Sequence, residues 1–555
     1  MATPTSLLAR VALLIGAALA SQLPPVPARA QPEEVGGARI QIIRQPVVHE
    51  PRDRLGIAVR ITNTSPTELE DMRLQVRAFA VLSSRSDLQS SLHIGQEQVE
   101  SSSFSLHVPA SLAPGRSTNV RVNPKLGEPD LPSLADASAG IYPLTITVTD
   151  DAGLQVFGTV TTFLIYLPSE VESPLKVVPV WVIGELPARA PDDTFEPHAA
   201  TGRWHLEDAI GERGWLTSML AGLTTKAGER LRLGIVAIPR LFEELADMAD
   251  GYERKVIEVD SVESSSADAR AAGDALEQLG AVLQRSRAQP IVTPYSFADI
   301  PSLAGDLEGL QLQLQEAEGV LREVLGTTPG RGWIFPPAGR LDVGSLDDLH
   351  GLEAAASTFF GSDSLLPLED PLAECAPPFE GGTYTCPVSV ETLGGRARGY
   401  LLDPQLQERI DALGADDGRV ALQRVFAETA MIWAELPNDA DRIVPFVIPS
   451  ALDLRPQAAR LLLRTLARAP WMQTFTPRGG LHQGIGAAPR EAVEELRPTA
   501  LTSNESFAAA LGAADTALDE FERIRPPADR LQRLTRTYLV AQSRSWGPDP
   551  SLIVR

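Results

Sequence analysis

Three aspartates stand where a strand-like run gives way to a loop, the place from which a side chain reaches a substrate in a parallel α/β domain. Asp299 follows Pro290-Ile-Val-Thr-Pro-Tyr-Ser-Phe-Ala, Asp342 follows Gly332-Trp-Ile-Phe-Pro-Pro-Ala-Gly-Arg-Leu, and Asp403 follows Leu401-Leu. With Glu435, at the end of an amphipathic stretch, they are the acids from which a catalytic pair could be drawn. Glycosidic hydrolysis needs two carboxyls, about 5 Å apart for retention of configuration and about 6.5–9.5 Å apart for inversion. Tyr295, Phe297 and Trp333 lie beside these acids and offer the flat apolar faces on which sugar rings stack. Each acid has a plainer reading too. Asp403 precedes Pro404 at the head of a helical pattern, the usual form of an N-cap, and for Asp299 the cap and site readings both stand.

Other chemistry finds little support. Gly-x-Ser-x-Gly, the phosphate-cradling Gly-x-x-x-x-Gly-Lys-Ser/Thr, Gly-x-Gly-x-x-Gly and His-Glu-x-x-His are all absent. His198 and His205 flank Trp204 without a carboxylate at matching spacing, so they read as surface histidines, and neither metal nor cofactor is expected. The two cysteines, Cys375 and Cys386, enclose ten residues rich in Pro and Gly, which in an oxidising compartment predicts one local disulfide.

The elements that must position these residues change character along the chain. From Arg39 to about Leu167 the apolar pattern has a period of two, with about seven short strands separated by Asn, Pro, Gly and Asp turns. This predicts an immunoglobulin-like β-sandwich over 31–168. Beyond it, strand-like runs such as Leu175–Ile183, Ser357–Phe360 and Ile443–Ile448 alternate with amphipathic helical stretches. That alternation predicts a parallel sheet closed into a (β/α)7-type barrel over 169–480. A glycine-rich joint, Arg478-Gly-Gly-Leu-His-Gln-Gly-Ile-Gly, leads to two helical patterns over 481–555, which read as a helical hairpin packed on the barrel.

The first thirty residues have the three parts of a secretory signal: a head whose only charge is Arg10, an apolar run Val11 to Ala20, and a tail closing on Ala28-Arg29-Ala30. Cleavage before Gln31 and work outside the cytoplasm, secreted or at the cell envelope, are the expectations. A formal charge of −23 argues against nucleic acid and anionic lipid as partners, and leaves the chain peripheral to a membrane at most. A hydrophobic share of 43% is ample for packed cores.

Pro294 to Leu303 and the Gly-Trp-x-x-Pro segment at Gly332 to Pro336 resemble strand ends in the (β/α)7 barrels of the retaining α-glycosidase and polysaccharide deacetylase superfamily. The chain also resembles an uncharacterised family of secreted actinobacterial proteins whose genes tend to neighbour the lipid II flippase. The pieces that carry this are Leu82-Ser-Ser-Arg-Ser-Asp-Leu, Gly140-Ile-Tyr-Pro-Leu, Met248-Ala-Asp-Gly-Tyr, Thr293-Pro-Tyr-Ser-Phe-Ala-Asp-Ile and Ala469-Pro-Trp. Where the glycosidase resemblance implies a Glu nucleophile, this chain has Pro336-Pro337-Ala338, and where it implies a second acid it has Pro449-Ser450. The deacetylase metal motif is missing as well. The resulting expectation is a non-catalytic envelope protein whose degenerate sugar-enzyme barrel binds wall glycan, a wall precursor or a protein. The alternative is a divergent glycan hydrolase or deacetylase drawing on Asp299, Asp342 or Asp403 with Glu435.

Overall fold

The computed structural model describes residues 37–543, apart from 51–52, 92–99, 110, 136–137, 168–170, 185–186, 191, 198–201, 304, 327–331, 355, 368–382, 415–417, 451, 453 and 497–504. The signal segment, His198 and Cys375 lie outside the described residues.

Seven strands build two antiparallel sheets: β1 (Ala38–Arg44), β2 (Ile57–Asn63), β3 (Met72–Phe79), β4 (Glu100–His107), β5 (Ser117–Val122), β6 (Gly140–Asp150) and β7 (Val156–Tyr166). One sheet has the order β1-β2-β5 and the other β4-β3-β6-β7. Every second side chain of a strand points the same way, so Ile57, Val59 and Ile61 of the first sheet meet Leu74, Val76, Leu144 and Ile146 of the second in one core. Strand β6 departs from the alternation, with every residue from Gly140 to Thr149 buried. Both of its faces are covered. Tyr142, Leu144 and Ile146 fill the core between the sheets, whereas Ile141, with Phe163 and Ile165 of β7, enters the core of the following domain. A short helix, α1 (Arg85–Ser91), follows β3 and buries Leu88 in that second core.

The second unit opens with β8 (Leu175–Ile183) and β9 (Leu233–Ala237), then a small excursion, β10 (Tyr252–Lys255) and β11 (Val259–Val262), which form a two-stranded sheet, with a bridge from β10 to Phe195. Strand β9 lies between β8 and β12 (Ala288–Ile291), all parallel. Bridges from Val292 to Ile334 and from Trp333 to Ser357 carry the parallel order on to β13 (Ser357–Phe360). Strand β14 (Pro387–Thr392) runs antiparallel to β15 (Gly395–Leu401), which is parallel to β13. Strand β16 (Ile443–Ile448) pairs in parallel with the free side of β8 and brings the order back to its start. Between β15 and β16 the segment entering β14 fills the seam, and the Thr385 carbonyl accepts the Ile443 N–H at 2.6 Å. The ring thus holds seven parallel segments, a barrel.

Alternation sorts the barrel's side chains. Val178, Val180, Val236, Phe335 and Phe359 point into a common interior, while Val177, Trp181, Ile235 and Phe446 point out to the helices. The helices that matter for the site are α2 (Pro239–Asp250), α3 (Leu307–Leu325), α4 (Val343–Gly351), α5 (Pro404–Asp411), α6 (Gly418–Glu435) and α7 (Pro477–Leu481). The floor of the barrel is shut by α7. A Cβ on Gly480 would stand 2.4 Å from the Tyr400 hydroxyl and 2.7 Å from Ile443 Cδ1, so only glycine lets the floor approach.

Strand β17 (Met472–Thr474) pairs with β8, and β18 (Ala488–Arg490), which lies past residue 480, pairs with β14. The last two helices, α8 (Glu505–Arg523) and α9 (Ala528–Ala541), touch each other, and Leu539 of α9 packs with Tyr295, Ala317 and Val320. No helix among the described residues is long and apolar enough to cross a membrane.

Candidate functional site

The C-terminal ends of the parallel segments form one mouth, and the structure gives each sequence-nominated acid there a structural task. Asp342 caps α4, its Oδ1 accepting the Ser345 N–H at 2.9 Å and the Ser345 hydroxyl at 2.5 Å, while Oδ2 accepts the Leu496 N–H at 3.3 Å. Asp299, 4% exposed, accepts a bond from Arg340 Nε at 3.0 Å. Asp403 caps α5 through the Leu406 N–H at 2.7 Å. Its two oxygens also take a fork from Arg85 Nη1 and Nη2, both at 2.7 Å, so a strand-end acid of the barrel is held by the helix that follows β3. Glu435 accepts the Thr383 N–H and hydroxyl, both at 3.1 Å.

Two of these acids are brought together, by a cation and a hydroxyl that join them. Arg85 Nη1 donates to Thr383 Oγ1 at 2.9 Å, the hydroxyl that also serves Glu435. Arg85 Nε donates at 2.5 Å to Glu428, two turns before Glu435 on α6. Burial raises the Glu428 carboxyl above the usual carboxylate range against the pull of Arg85, and burial likewise raises Glu435 against its bonds to Thr383. Arg85 loses water by burial too, yet its bonds to Asp403 and Glu428 outweigh that and hold its proton more tightly than usual. This network locks the sandwich to the barrel and offers no open face to a substrate.

The aromatic residues fare similarly. Trp333 is 4% exposed because it points into the barrel, stacked on Tyr400 with ring centroids 6.1 Å apart. Tyr295 is fully buried and donates its hydroxyl to Glu243 at 2.6 Å. Only Phe297 keeps part of its ring open, in a left-handed turn at φ 61°. The sugar-stacking faces of both are covered: Trp333 points into the barrel, and Tyr295, in the loop after β12, is buried against α3 and α9. His205 is half-buried, and burial lowers its pKa.

What remains open at the mouth is a cavity of about 340 Å³ beside the ends of β13 and β15. Ala338, Ser362, Asp363, Gln407, Glu408 and Asp411 line it. Ala338 sits where the glycosidase resemblance implies the nucleophile, and holds a left-handed φ of 54°. Partial loss of water raises the Asp411 pKa against a hydrogen bond of 2.7 Å from Gln407 Nε2, although the residue as a whole is exposed. Asp363 shares Arg340 with Asp299, at 3.3 Å.

Residues 2–180 match a family of unknown function (DUF6049). No curated protein matches the chain. Among solved structures it is similar to the α-amylase AmyC from Thermotoga maritima, at 11% identity over 67% of this chain and 88% of that one, with a TM-score of 0.44. It is also similar to the GH57-type branching enzyme from Pyrococcus horikoshii, at 13% identity over 68% and 87% of the two chains and a TM-score of 0.46. The GH57 branching enzyme from Thermococcus kodakaraensis stands at 12% identity, the same 68% and 87%, and 0.46. At this level of likeness none of them assigns an activity to the chain.

Arg85, Glu428, Asp363 and Asp411 are absent from the acids and partners nominated by sequence. Two signals pointed toward them. Glu428 shares the face of a long helix with Glu435, and Arg85 is the cation of the Leu82-Ser-Ser-Arg-Ser-Asp-Leu piece. Asp363 and Asp411 carried no signal, because their loop and helix follow no motif.

Proposed function

We propose that this chain is an exported envelope protein whose barrel has no hydrolytic chemistry and whose mouth binds a wall saccharide, with an immunoglobulin-like sandwich as a rigid support and a helical hairpin packed at its C-terminal end. One observation carries the reading. Asp299, Asp342, Asp403 and Glu435 are all engaged by Arg340, by a helix N-terminus, by Arg85 or by Thr383, while Ala338 and Ser450 occupy the strand ends where a nucleophile and an acid are implied. Retaining and inverting mechanisms alike need a pair of carboxyls that face the glycosidic bond. The mouth cavity supports binding, since Ser362, Gln407, Asp363 and Glu408 offer acceptors and donors suited to sugar hydroxyls. Incubating the mature protein with soluble α-glucans and acetylated wall oligosaccharides should release neither reducing ends nor acetate. The same protein should sediment with wall fragments and be released by soluble saccharide.

A second reading has its own support. Asp363 and Asp411 line one cavity, and burial raises the Asp411 pKa, the direction a general acid needs. Turnover abolished by Asp411→Asn in a folded protein would establish that divergent hydrolase and sink the non-catalytic reading.

A further inference from the structure

A second cavity, lined by cationic groups, opens at the opposite end of the barrel from the mouth. It has a volume of about 490 Å³ and lies where β12 begins and β17 ends, lined among others by Ser286, Gln289, Thr476, Arg478 and His482. These include the first residues of the glycine-rich joint. The joint is held firmly at this point: the Thr476 hydroxyl accepts the Gly479 N–H at 3.1 Å, and Gln289 Oε1 accepts the Arg478 N–H at 2.8 Å. The second bond occupies the carboxamide oxygen and leaves the Gln289 amide N–H groups as donors. Arg478 and His482 are both exposed.

Two further arginines flank the opening. Arg232 lies over the Phe475 ring at 5.8 Å, next to Thr476, and Arg287 donates to the Arg230 carbonyl at 3.1 Å just before β12. Among the described residues, none of Arg232, Arg287 and Arg478 has a carboxylate partner. In a chain with 72 acidic and 49 basic residues, Arg478 lines this cavity, Arg287 sits in the chain between its lining residues Ser286 and Ala288, and Arg232 lies over Phe475 next to Thr476, a local positive field against the overall charge.

We propose that this cavity binds a small anionic ligand, one phosphate or carboxylate carried on a polar body about the size of a sugar. Arg478 is the anchor, because a guanidinium presents two parallel N–H groups that match either anion. Ser286, Gln289 and His482 then take the polar body, and the volume falls within the usual range of about 300–1,000 Å³ for small-molecule sites. The site lies away from the mouth and shares no lining residue with it.

Isothermal titration of the mature protein with glucose 6-phosphate, glucuronate, inorganic phosphate and glucose tests this. Saturable binding of glucose 6-phosphate or glucuronate, with none of glucose, is expected, and the better of the two identifies the anion. Arg478→Gln should weaken that binding by about tenfold or more, as loss of a charged hydrogen-bonding group does. Arg478→Lys, which keeps the charge and loses the fork, should fall between the two. Arg213→Gln, an exposed arginine elsewhere, should leave binding unchanged and controls for net charge. Absence of saturable binding to every anion overturns the proposal. So does an Arg478→Gln protein, folded by circular dichroism, that binds like the wild type, or an equal loss in Arg213→Gln. Inorganic phosphate binding as tightly as the sugar phosphate overturns the sugar-sized body.

Discussion

Replacing Arg85 by Met tests how the sandwich and the barrel are held together. The side chain is 4% exposed and spends its guanidinium on Asp403, Glu428 and Thr383. Methionine keeps much of the volume of the stem and removes the cation. Glu428, 2% exposed, then loses its hydrogen-bonded cation and keeps only the more distant charge of Arg409, and Asp403, at 10%, keeps only its cap to Leu406. Breaking a buried pair by removing one member costs about 3–5 kcal/mol. Asp403 retains some solvent, so the lower end, about 3 kcal/mol, is the expectation. Against a typical total of about 5–15 kcal/mol that is a large share.

The sign of the pH dependence follows from Glu428. Burial already holds its folded pKa above the unfolded value, even with Arg85 beside it. Without Arg85 the folded pKa rises further. A carboxyl with a raised folded pKa binds more protons when folded, so its contribution to stability is fully present below the unfolded pKa and is lost as pH rises through the folded one. The Arg85→Met deficit should therefore be larger at about pH 8 than at about pH 5. Urea unfolding followed by tryptophan fluorescence reads both. Glu428→Gln, which leaves the Arg85–Asp403 fork in place, should cost less than Arg85→Met. A deficit below about 1 kcal/mol near pH 8, the level of an exposed pair, or one equal at both pH values would refute the reasoning.

Three shorter expectations stand beside it. Cys375 and Cys386 enclose ten residues rich in Pro and Gly, and for an exported chain the proposal is that they are cross-linked. Denatured but unreduced protein should resist thiol alkylation, and reduction should cost about 2–3 kcal/mol of stability for a ring of this size. Gly480→Ala drives a methyl into the Tyr400 hydroxyl and Ile443, and should destabilise the barrel by about 1–3 kcal/mol in the same urea assay. Exported protein should begin at Gln31 on N-terminal sequencing; an intact Met1 start would count against the export reading.

Much of the element pattern was legible because periodicity reports burial directly. Met72–Phe79, Ser117–Val122, Leu175–Ile183, Ser357–Phe360 and Ile443–Ile448 are strands with the bounds their apolar pattern implies. Strands β10, β11, β14 and β18 were missed, for β10, β11 and β18 from causes visible in their residues. Tyr252–Lys255 and Val259–Val262 are mostly polar, and Ala488–Arg490 is a bare three-residue strand. Gly332–Pro336 reads as a strand and is one only in part, joined to its neighbours by single bridges.

The acids were harder, and the reason is general to this architecture. In a parallel barrel every strand end is also the start of a loop that must launch a helix, so an aspartate there has two tasks open to it with one sequence signature. Asp342 and Asp403 took the capping task, as the Ser345 and Leu406 N–H bonds show. What separates a cap from a catalytic group is whether the second carboxylate oxygen faces substrate or protein. That depends on residues far away in the chain: Arg85, 318 positions from Asp403, and Leu496, 154 positions from Asp342. No local pattern encodes such a partner. The Arg85 piece does carry one trace of it, since an arginine flanked by serines on a short helix buries its charge only where acids from elsewhere can receive it. The sandwich thus supplies the cation that removes a strand-end acid from the mouth, and so helps to decide what the barrel can and cannot do.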